Sequence, residues 1–388
     1  MQETFLTEFQ KRGYFNQCTD QSALGILMSK SKIKAYIGFD CTAPSLHVGS
    51  LMQIMCLRLL QKYGHQPIVL LGGGTTLIGD PSGKEETRKI LDKKEINKNI
   101  KNIQNVFKIF LKSKNSKTKP IFINNYSWLS KLNYINFLRD VGKHFTINKM
   151  LTFDSVKLRL EREQSLSYME FNYMILQAYD FLELNKRNKC ALQIGGSDQW
   201  GNIVNGVELI KRKNKNKSYG LTTPLITLAS GAKMGKTEKG AIWLDKKMLS
   251  PYDYWQFWRN TDDKDVIKFL KMFTDLNIDE INKIKEQDIN QLKIKLANEA
   301  TSMLHGKEAA LSAEKTAKKT FEQNSLGESL PSVDIQLNNE NSNINIIDLI
   351  ILSKIENSKS EIRRLIKGKG VRINNKIIID EKFLIQKK

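Results

Sequence analysis

The first half of the chain alternates short apolar runs with longer amphipathic stretches. Residues 33–39 predict a strand, residues 46–63 an amphipathic helix that ends before Gly64, and residues 67–71 a buried strand that runs into three glycines. A strand–helix–strand order predicts parallel strands, and parallel sheets bind ligands at the carboxyl ends of their strands. We therefore expect an α/β fold whose functional site lies at that edge.

Three further stretches extend this pattern. Residues 93–119, rich in Lys and Asn, predict a helical excursion with a solvated face. Residues 168–184 predict a long and mostly apolar helix, and residues 190–194 predict a short strand.

The second half of the chain is helical and then changes character. Residues 251–323 have helical periodicity throughout, whereas residues 324–343 are polar and aperiodic, which is typical of a linker. The pattern therefore predicts an α/β domain with a helical insertion over residues 1–228 and a polar loop over residues 229–250. The helical domain, the linker and a small α+β module over residues 344–388 follow.

The last module is compact and basic. Ser358 and Glu361 predict a capping box that opens a helix, Gly368 closes that helix, and two short strands flank residues 374–375. Residues 341–388 contain eleven Lys or Arg residues against five Asp or Glu residues.

Composition adds a strong positive charge to this picture. The 388 residues carry a formal net charge of +21, which favours polyanionic partners through phosphate contacts. The joint richness in Lys, Asn and Ile also fits a base-composition bias, so charge alone leaves both explanations open. No stretch approaches the roughly 20 apolar residues of a membrane span, so no membrane partner is expected.

Targeting signals and metal-binding patterns are not evident. Acidic residues among the first twenty do not fit a secretory or transit leader. The four cysteines form no C-x-x-C pair and the four histidines form no cluster, so we expect neither a disulfide framework nor a metal site. A reducing compartment fits this cysteine usage, and we expect a cytoplasmic protein.

Residues 42–50 lie between the first predicted strand and its helix, where helix amides favour a bound anion. His47 can donate to a phosphate oxygen there, and Gly49 lets a flat base approach the backbone. Capping and packing are the alternative explanation for the same residues.

Residues 233–237 have the sequence Lys-Met-Gly-Lys-Thr in a polar loop. Two lysines on a mobile loop can fold over a triphosphate and stabilise the charge of a leaving group; a solvated lysine-rich loop is the alternative. A Walker A loop would need Gly at position 230, where this chain has Ser230, and the pair Gly83 and Lys84 fails likewise because position 78 is Ile78.

A polar stripe interrupts the apolar helix of residues 168–184. Tyr173, Gln177 and Asp180 are spaced so that they share one helix face. A buried carboxylate and a buried amide are unfavourable without hydrogen bonds, so either a polar ligand or a structural network meets this face.

Two glycine-containing turns carry further carboxylates. Residues 193–202 end a strand with Gly-Gly-Ser-Asp, and Asp198 there can bind ribose hydroxyls. Asp80 opens a second turn and is followed by Lys84 and Arg88, which add positive charge.

Together these segments resemble the class I aminoacyl-tRNA synthetases. Residues 47–50 are similar to their His-Ile-Gly-His motif, and residues 233–237 to their Lys-Met-Ser-Lys-Ser motif. Residues 36–40, 173–180 and 193–201 resemble the bacterial tyrosyl-tRNA synthetases in particular. The resemblance covers nearly the whole chain and implies a Rossmann-like catalytic domain, a lysine-signature loop, a helical anticodon-side domain and a small RNA-binding module.

The resemblance implies an amino-acid site and a tRNA-binding helix. Tyr36 and Asp180 match the pair that hydrogen-bonds the substrate phenol. The residues implied to bind tyrosine are Tyr36, Asp80, Tyr173, Gln177, Asp180 and Gln193. The residues implied to bind tRNA are Arg363, Arg364, Lys367 and Lys369.

The resemblance also implies a nucleotide site and a catalytic set. The residues implied to bind ATP are Gly49, Gly196, Asp198, Gln199, Leu225, Ile226 and Lys236. The residues implied to act in catalysis are Thr42, His47, Ser50, Lys84, Arg88, Lys233, Lys236 and Thr237.

The implied reaction needs no covalent nucleophile, because the tyrosine carboxylate attacks the α-phosphorus of ATP. Catalysis is then positioning and electrostatic stabilisation of pyrophosphate. The implied partners are L-tyrosine, ATP with Mg²⁺, tRNA(Tyr) and a second copy in a homodimer. No DNA partner, no tightly bound cofactor and no metal ligand of the protein are expected.

Three departures from the motifs change a polar side chain. Ser50 stands in place of the second His of the first motif, and Gly235 and Thr237 replace two serines of the second. Two alternatives stay open: a tryptophan-specific synthetase of the same class, and a non-catalytic RNA-binding protein derived from a synthetase. The retained lysines, His47 and Asp198 argue against the non-catalytic alternative.

Overall fold

A computed structural model describes residues 3–80, 91–231, 234–237, 240–322, 333, 335, 343–374 and 376–386. The chain folds into two compact units, residues 1–329 and residues 330–388.

A six-stranded sheet forms the centre of the first unit. Its strands are β1 (Gln17–Cys18), β2 (Lys34–Phe39), β3 (Gln66–Leu71), β4 (Ile121–Asn124), β5 (Cys190–Gly196) and β6 (Tyr219–Thr223). Their spatial order is β1-β6-β5-β2-β3-β4. β1 is antiparallel to β6, and the other neighbours are parallel. The predicted α/β class with a parallel sheet is confirmed.

Helices cover both faces of this sheet. The helices of the first unit up to residue 214 are α1 (Phe5–Lys11), α2 (Gln21–Lys30), α3 (Leu51–Lys62), α4 (Lys93–Phe110), α5 (Tyr126–Leu129), α6 (Tyr134–Asp140), α7 (Ile147–Met150), α8 (Asp154–Glu161), α9 (Tyr168–Phe171), α10 (Tyr173–Asn188) and α11 (Trp200–Asn214). α3 packs against β2 and β3, while α10 and α11 pack together against β5. Burial on both faces explains why the central strands are almost continuously apolar.

Short 3₁₀ turns and one two-stranded ribbon complete this region. The turns are Val48–Ser50, Thr75–Leu77, Gly142–His144 and Ser197–Gln199, and the ribbon pairs β7 (Lys236–Thr237) with β8 (Gly240–Ala241).

A bundle of helices ends the first unit. Its members are α12 (Pro251–Arg259), α13 (Asp263–Phe273), α14 (Ile278–Ile284), α15 (Ile289–His305) and α16 (Lys307–Glu322). Buried aromatic side chains fill its centre, among them Trp255, Trp258 and Phe273. The predicted helical character of residues 251–322 is confirmed.

The second unit is a small α+β module. It contains β9 (Asn343–Asn345), α17 (Ile346–Leu352), α18 (Lys359–Lys367), β10 (Arg372–Ile373), β11 (Lys376–Ile377) and β12 (Leu384–Gln386). β9 pairs with β12 and β10 with β11, both antiparallel. Four isoleucines form its core: Ile346, Ile347, Ile362 and Ile366.

The predicted capping box of the last module forms only in part. Ser358 Oγ accepts from the backbone N–H of Glu361 at 3.4 Å, as a capping box requires. The prediction of the reciprocal bond, from the N–H of Ser358 to the side chain of Glu361, is wrong. That N–H donates instead to Glu356 Oε1 at 2.9 Å. The Glu361 carboxylate instead pairs with Arg364 at 3.1 Å.

The first predicted helix begins later than expected. The apolar pattern predicts a start at residue 46, but α3 starts at Leu51 and a 3₁₀ turn precedes it. Residues 46 and 48 cannot be helical because they pair with another segment: Leu244 N donates to Leu46 O at 2.9 Å and Val48 N donates to Ile242 O at 2.9 Å.

Two other predicted elements have different bounds. The helix predicted over 168–184 is broken at Asn172 into α9 and α10, and α10 continues to Asn188. The helix predicted over 93–119 ends at Phe110, and the strand β4 that follows is missing from the prediction. The buried face of α4 (Ile96, Ile100, Ile103 and Phe107) shows that only its other side is solvated.

Candidate active site

A cavity of about 330 Å³ lies at the carboxyl ends of the parallel strands. β2 and β5 contribute their last residues, and α10 contributes the polar stripe Tyr173, Gln177 and Asp180. The stripe therefore shares one face, as its spacing predicted. The cavity has a closed end, formed by the buried side chains of Tyr36, Asp180 and Gln193.

The open end of the cavity is formed by Gly196, Asp198 and Leu225. Leu225 is 53% exposed there. Many of the residues singled out from the sequence line this one space. They are Tyr36, Asp80, Tyr173, Gln177, Asp180, Gln193, Gly49, Ser50, Gly196, Asp198, Gln199 and Leu225.

Other predicted residues do not line the cavity or are not described. Thr42, His47 and Ile226 lie outside its lining, and Thr42 is exposed. Lys84, Arg88 and Lys233 lie outside the described residues. Only the backbone of Lys236 and Thr237 is described, in strand β7.

Asp180 provides the carboxylate of the closed end, and side chains from neighbouring elements hold it in place. Trp128 Nε1 donates to its Oδ1 at 2.7 Å, and Asn125 Nδ2 donates to its Oδ2 at 2.9 Å. Burial raises the pKa of Asp180 to about 7, although these two hydrogen bonds act to lower it. The structural network considered for this residue therefore exists, and the carboxylate also faces the cavity.

Tyr36 presents an unsatisfied hydroxyl to the same end. Its side chain is 1% exposed and packs on Phe181 with ring centroids 5.2 Å apart. The hydroxyl has no hydrogen-bond partner among the described residues. Burial and the nearby charge of Asp180 raise the pKa of Tyr36 well above its usual value, so the phenol stays protonated. Buried hydroxyls are normally hydrogen-bonded, so a ligand hydroxyl would complete this site.

A chain of side-chain amides connects Gln177 and Asp80 to Asp198 at the open end of the cavity. Gln199 Nε2 donates to Asp80 Oδ2 and to Asp198 Oδ2, both at 3.1 Å. Asn202 Nδ2 donates to Gln177 Oε1 at 3.0 Å and to Gln199 Oε1 at 3.2 Å. Residues assigned to different ligands are thus joined through two amides.

Several polar residues of this site are absent from the sequence-based prediction. Asp40 accepts from Tyr173 Oη at 3.2 Å and from Thr75 Oγ1 at 3.1 Å. Asn125 and Trp128 hold Asp180, as described above. Asp40 and Asn125 directly follow strands β2 and β4. A polar residue directly after a predicted strand was therefore the feature of the sequence that could have identified Asp40.

The two signature segments, residues 47–50 and residues 233–237, approach each other at Gly49, Met234 and Gly235. His47 Nδ1 accepts from the backbone N–H of Gly49 at 3.0 Å, which leaves Nε2 as the protonated nitrogen of the neutral ring. A Cβ on Gly49 would lie 2.9 Å from the carbonyl oxygen of Met234. Gly235 has φ +115 and a Cβ there would lie 2.9 Å from Gly49 N, so both positions require glycine.

The segment of residues 229–250, here called the lysine loop, is thus anchored beside residues 47–49. Met234 N donates to Ile226 O at 3.1 Å, and Ile242 N donates to Gly235 O at 3.3 Å. Met234 O therefore lies close to Gly49 on the side that a Cβ would occupy, while Gly49 also lines the cavity.

The basic residues of the second unit lie on one exposed segment. Arg363, Arg364 and Lys367 belong to α18, and Lys369 follows it with φ +59. Arg363 also contacts Glu381 at 3.4 Å.

Within the described parts of the chain, no group of three or more His, Cys, Asp or Glu side chains could hold a metal ion. Across the same residues, no helix is long and apolar enough to cross a membrane. The four cysteines are free thiols.

A protein-family model described as "tRNA synthetases class I (W and Y)" matches residues 28–322. The tyrosine–tRNA ligase of Pelagibacter ubique is 72% identical over 98% of this chain and 93% of its own length. The tyrosine–tRNA ligase of Zymomonas mobilis is 55% identical over 98% of this chain and 93% of its own length.

Solved structures agree with the fold. A C-terminally truncated mitochondrial tyrosyl-tRNA synthetase of Aspergillus nidulans superposes with a TM-score of 0.74 at 32% identity, covering 82% of this chain and 95% of that one. The tyrosyl-tRNA synthetase of Archaeoglobus fulgidus, with a TM-score of 0.59 at 17% identity over 80% of this chain and 99% of that one, supports the fold alone. With a Rossmann-like sheet, a matching family model and highly identical relatives, the chain belongs to the class I tRNA synthetases of the tryptophan and tyrosine type, among the tyrosine–tRNA ligases.

Proposed function

We propose that this chain activates L-tyrosine with ATP and transfers it to the 3′-terminal adenosine of tRNA(Tyr). The observation that carries the proposal is the closed end of the cavity, where the partnerless hydroxyl of Tyr36 and the held carboxylate of Asp180 are both buried, among the residues that the structure describes. A phenol fits this pair because it can donate to Asp180 while it accepts from Tyr36.

The same pair separates tyrosine from tryptophan. An indole N–H can donate to a carboxylate but cannot accept from a hydroxyl. Bound tryptophan would therefore leave Tyr36 unsatisfied, at a cost of about 1–3 kcal/mol. The two relatives compared above are both tyrosine–tRNA ligases, which favours tyrosine as well.

We assign the α-amino group of tyrosine to Asp80, Tyr173 and Gln177. Asp80 supplies a negative charge, and the amide chain through Gln199 and Asn202 fixes the orientation of the acceptors. With the phenol in the closed end, the carboxylate of tyrosine would face the open end of the cavity.

The open end would hold ATP. Asp198 would bind the ribose, and Gly49, Gly196, Gln199, Leu225 and Ile226 would surround the nucleoside. A carboxylate oxygen of tyrosine attacks the α-phosphorus, the bond from that phosphorus to the β-phosphate oxygen breaks, and pyrophosphate leaves. Mg²⁺ would arrive with ATP and neutralise phosphate charge.

Positive charges around the phosphates would stabilise the transition state. His47, Ser50 and Thr42 are assigned to the ATP-binding segment, and Lys84, Arg88, Lys233, Lys236 and Thr237 to the departing pyrophosphate. Fixed charges directed at a developing anion are typically the largest electrostatic contribution to catalysis.

In the second step, a ribose hydroxyl of the terminal tRNA adenosine attacks the carbonyl carbon of the mixed anhydride and AMP leaves. Residues 251–323 and the module of residues 344–388 would hold the anticodon side of the tRNA, with Arg363, Arg364, Lys367 and Lys369 on its backbone. We assign residues 1–228 to catalysis and residues 324–343 to a linker.

We further propose a homodimer in the cytoplasm. The exposed apolar side chains Tyr134, Ile135, Leu138 and Tyr168 support a protein–protein contact in the helical insertion. Four free thiols fit a reducing compartment. Sedimentation equilibrium of the wild type and of Ile135→Glu tests the dimer, which the variant should weaken.

Tyrosine-dependent exchange of pyrophosphate into ATP tests the first step and its specificity. We expect exchange with tyrosine and none above background with tryptophan at equal concentration. Exchange with tryptophan alone would favour the tryptophan-specific alternative, and no exchange with either amino acid in a folded protein would favour the non-catalytic one.

Removal of residues 341–388 tests the tRNA assignment. Exchange should survive, whereas tRNA charging should fall and the salt dependence of tRNA binding should become weaker because phosphate contacts are lost. Loss of exchange in a folded truncated protein would show that the boundary or the role is wrong.

A further inference from the structure

The lysine loop begins at a buried carboxylate of the helical bundle. Asp265 lies in the first turn of α13 and is 5% exposed. Its Oδ2 accepts from the backbone N–H of Ala229, the first residue of the lysine loop, at 2.7 Å. A charged acceptor at this distance makes a strong hydrogen bond.

A second contact fixes the residues just before the loop. Lys268, one turn further along α13, donates from Nζ to the carbonyl oxygen of Thr227 at 3.0 Å. The same ammonium group lies 3.5 Å from Oδ1 of Asp265. We call residues 227–229 the stem of the loop. One acid and one base on a single face of α13 therefore bind an N–H and a C=O of this stem.

Packing alone does not fix this stem. A cavity of about 790 Å³ separates much of the loop from α12 and α13, with Ala229, Ile242 and Phe269 among its lining residues. Because apolar contact is incomplete there, the position of the stem depends on the polar contacts of Asp265 and Lys268.

The helix that carries Asp265 is itself anchored to the N-terminal region of the chain. Arg12 of the N-terminal region donates to the carbonyl oxygens of Lys271, Thr274 and Leu276, at 2.7, 3.0 and 3.0 Å. Arg12 is buried and also pairs with Glu8 at 2.8 Å. α13 is therefore a fixed support rather than a mobile surface element.

We propose that Asp265 is a positioning residue for tyrosine activation: by fixing Ala229, it sets the place of the lysine loop against residues 47–49. This inference rests on the proposed function. The hydrogen bond from Met234 to Ile226 closes the loop on the same stem, so a displaced stem would displace the backbone that bears both lysines.

Asp265→Ala removes the acceptor and tests this role. The activation rate constant should fall about 10- to 100-fold, the size expected when charged groups are displaced by about 1 Å. The KM for ATP should rise, and the dissociation constant of tyrosine should stay within about twofold. Asp265→Asn, whose side-chain oxygen can accept the same bond, should keep activation within about threefold of the wild type.

Asp262→Ala is the matched control. Asp262 is the N-cap of the same helix and accepts from Lys264 N, so its loss weakens the start of α13 while the bond from Ala229 to Asp265 remains. Its activation rate should match the wild type. A folded Asp265→Ala variant that activates tyrosine as fast as Asp262→Ala, or one that loses tyrosine affinity in parallel, would overturn the proposal.

Hydrogen exchange of the backbone amides gives a readout that is independent of activity. The amide of Ala229 should exchange faster in Asp265→Ala but not in Asp262→Ala. If the wild type failed to activate tyrosine, the proposed function would be wrong. If the amide hydrogen of Ala229 exchanged at the same rate in both variants, the anchoring by Asp265 would be refuted separately.

Discussion

The two ends of the active-site cavity are built differently. At the closed end, Asp180 is 2% exposed and both of its oxygens accept hydrogen bonds from side chains on neighbouring elements. At the open end, Leu225 is 53% exposed, and the residues come from the last position of β5, a 3₁₀ turn and a loop. Preorganised groups in a packed core discriminate between similar ligands, whereas groups on loops can follow charge that develops during a reaction. Amino-acid choice and phosphate chemistry thus occupy structurally distinct regions.

The largest effect is expected at the closed end. Asp180→Ala should lower kcat/KM for tyrosine by roughly 10³-fold, because the substrate phenol loses its charged hydrogen-bond acceptor. The free energy of unfolding should fall by about 1–3 kcal/mol, since Asn125 and Trp128 lose their acceptor. Pyrophosphate exchange and urea denaturation measure the two effects.

Asp198→Ala is the control for this prediction, because Asp198 is a carboxylate at the open end. It should raise the KM for ATP and lower tyrosine affinity far less than Asp180→Ala does, while the free energy of unfolding stays near the wild type. Equal losses of tyrosine affinity in both variants would show that the two ends do not differ as described.

The next largest effect is expected on the lysine loop. Lys236→Ala should slow activation about 10²–10³-fold and leave tyrosine binding unchanged, because its charge acts on departing pyrophosphate. Rapid-mixing measurement of adenylate formation checks this, with Lys247→Ala, an exposed lysine of the same loop, as the control. Normal activation with weakened tyrosine binding would contradict the assigned role.

A pH effect should distinguish the ends as well. The pKa of Asp180 is raised to about 7 in the free protein, so its contribution to stability is present below the usual aspartate pKa and is lost as pH rises through 7. Tyrosine needs the ionised carboxylate as acceptor. Its dissociation constant should therefore be about tenfold higher at pH 6 than at pH 8.

Equilibrium dialysis at several pH values measures this dependence. The variant Asp180→Asn, which does not titrate, should show weak binding that is nearly constant over the range. A wild-type dissociation constant that does not change between pH 6 and pH 8 would mean that Asp180 does not receive the phenol proton.

The smallest effect is expected from Tyr36→Phe. The substrate loses a neutral hydrogen bond of about 0.5–1.5 kcal/mol while Asp180 remains. Exchange kinetics with tyrosine and phenylalanine should show a preference for tyrosine reduced about three- to tenfold. Tyr179→Phe, which removes a partly buried hydroxyl outside the cavity, is the control. An unchanged preference for tyrosine in Tyr36→Phe would show that Tyr36 does not contact the substrate hydroxyl.

The sequence predicted best what local pattern determines. The strand at residues 67–71 was correct to within one residue because an uninterrupted apolar run is typical of a strand buried on both faces. The polar stripe on α10 was found because helical spacing alone brings Tyr173, Gln177 and Asp180 together. Only the pairing with a distant segment explains why residues 46–50 are not part of α3.

What sequence patterns could not predict depends on contacts between distant segments. Asn125 and Trp128 follow the missed strand β4, which lies after a basic stretch whose composition resembles an exposed helix. The approach of Met234 to Gly49 joins two segments that are far apart in the sequence, and no local periodicity predicts such a contact. Motif resemblance placed both segments in one site, but the structure is needed to show that their backbones touch.

The amide of Gln199 has a thermodynamic consequence. It donates to Asp80, assigned to the amino acid, and to Asp198, assigned to the nucleotide. A ligand that draws one carboxylate away from this amide changes the hydrogen bonding available to the other. The two substrates are then coupled ligands rather than independent ones, and linkage requires the coupling to be reciprocal. Whatever factor an ATP analogue imposes on the affinity for tyrosine, tyrosine must impose on the affinity for that analogue.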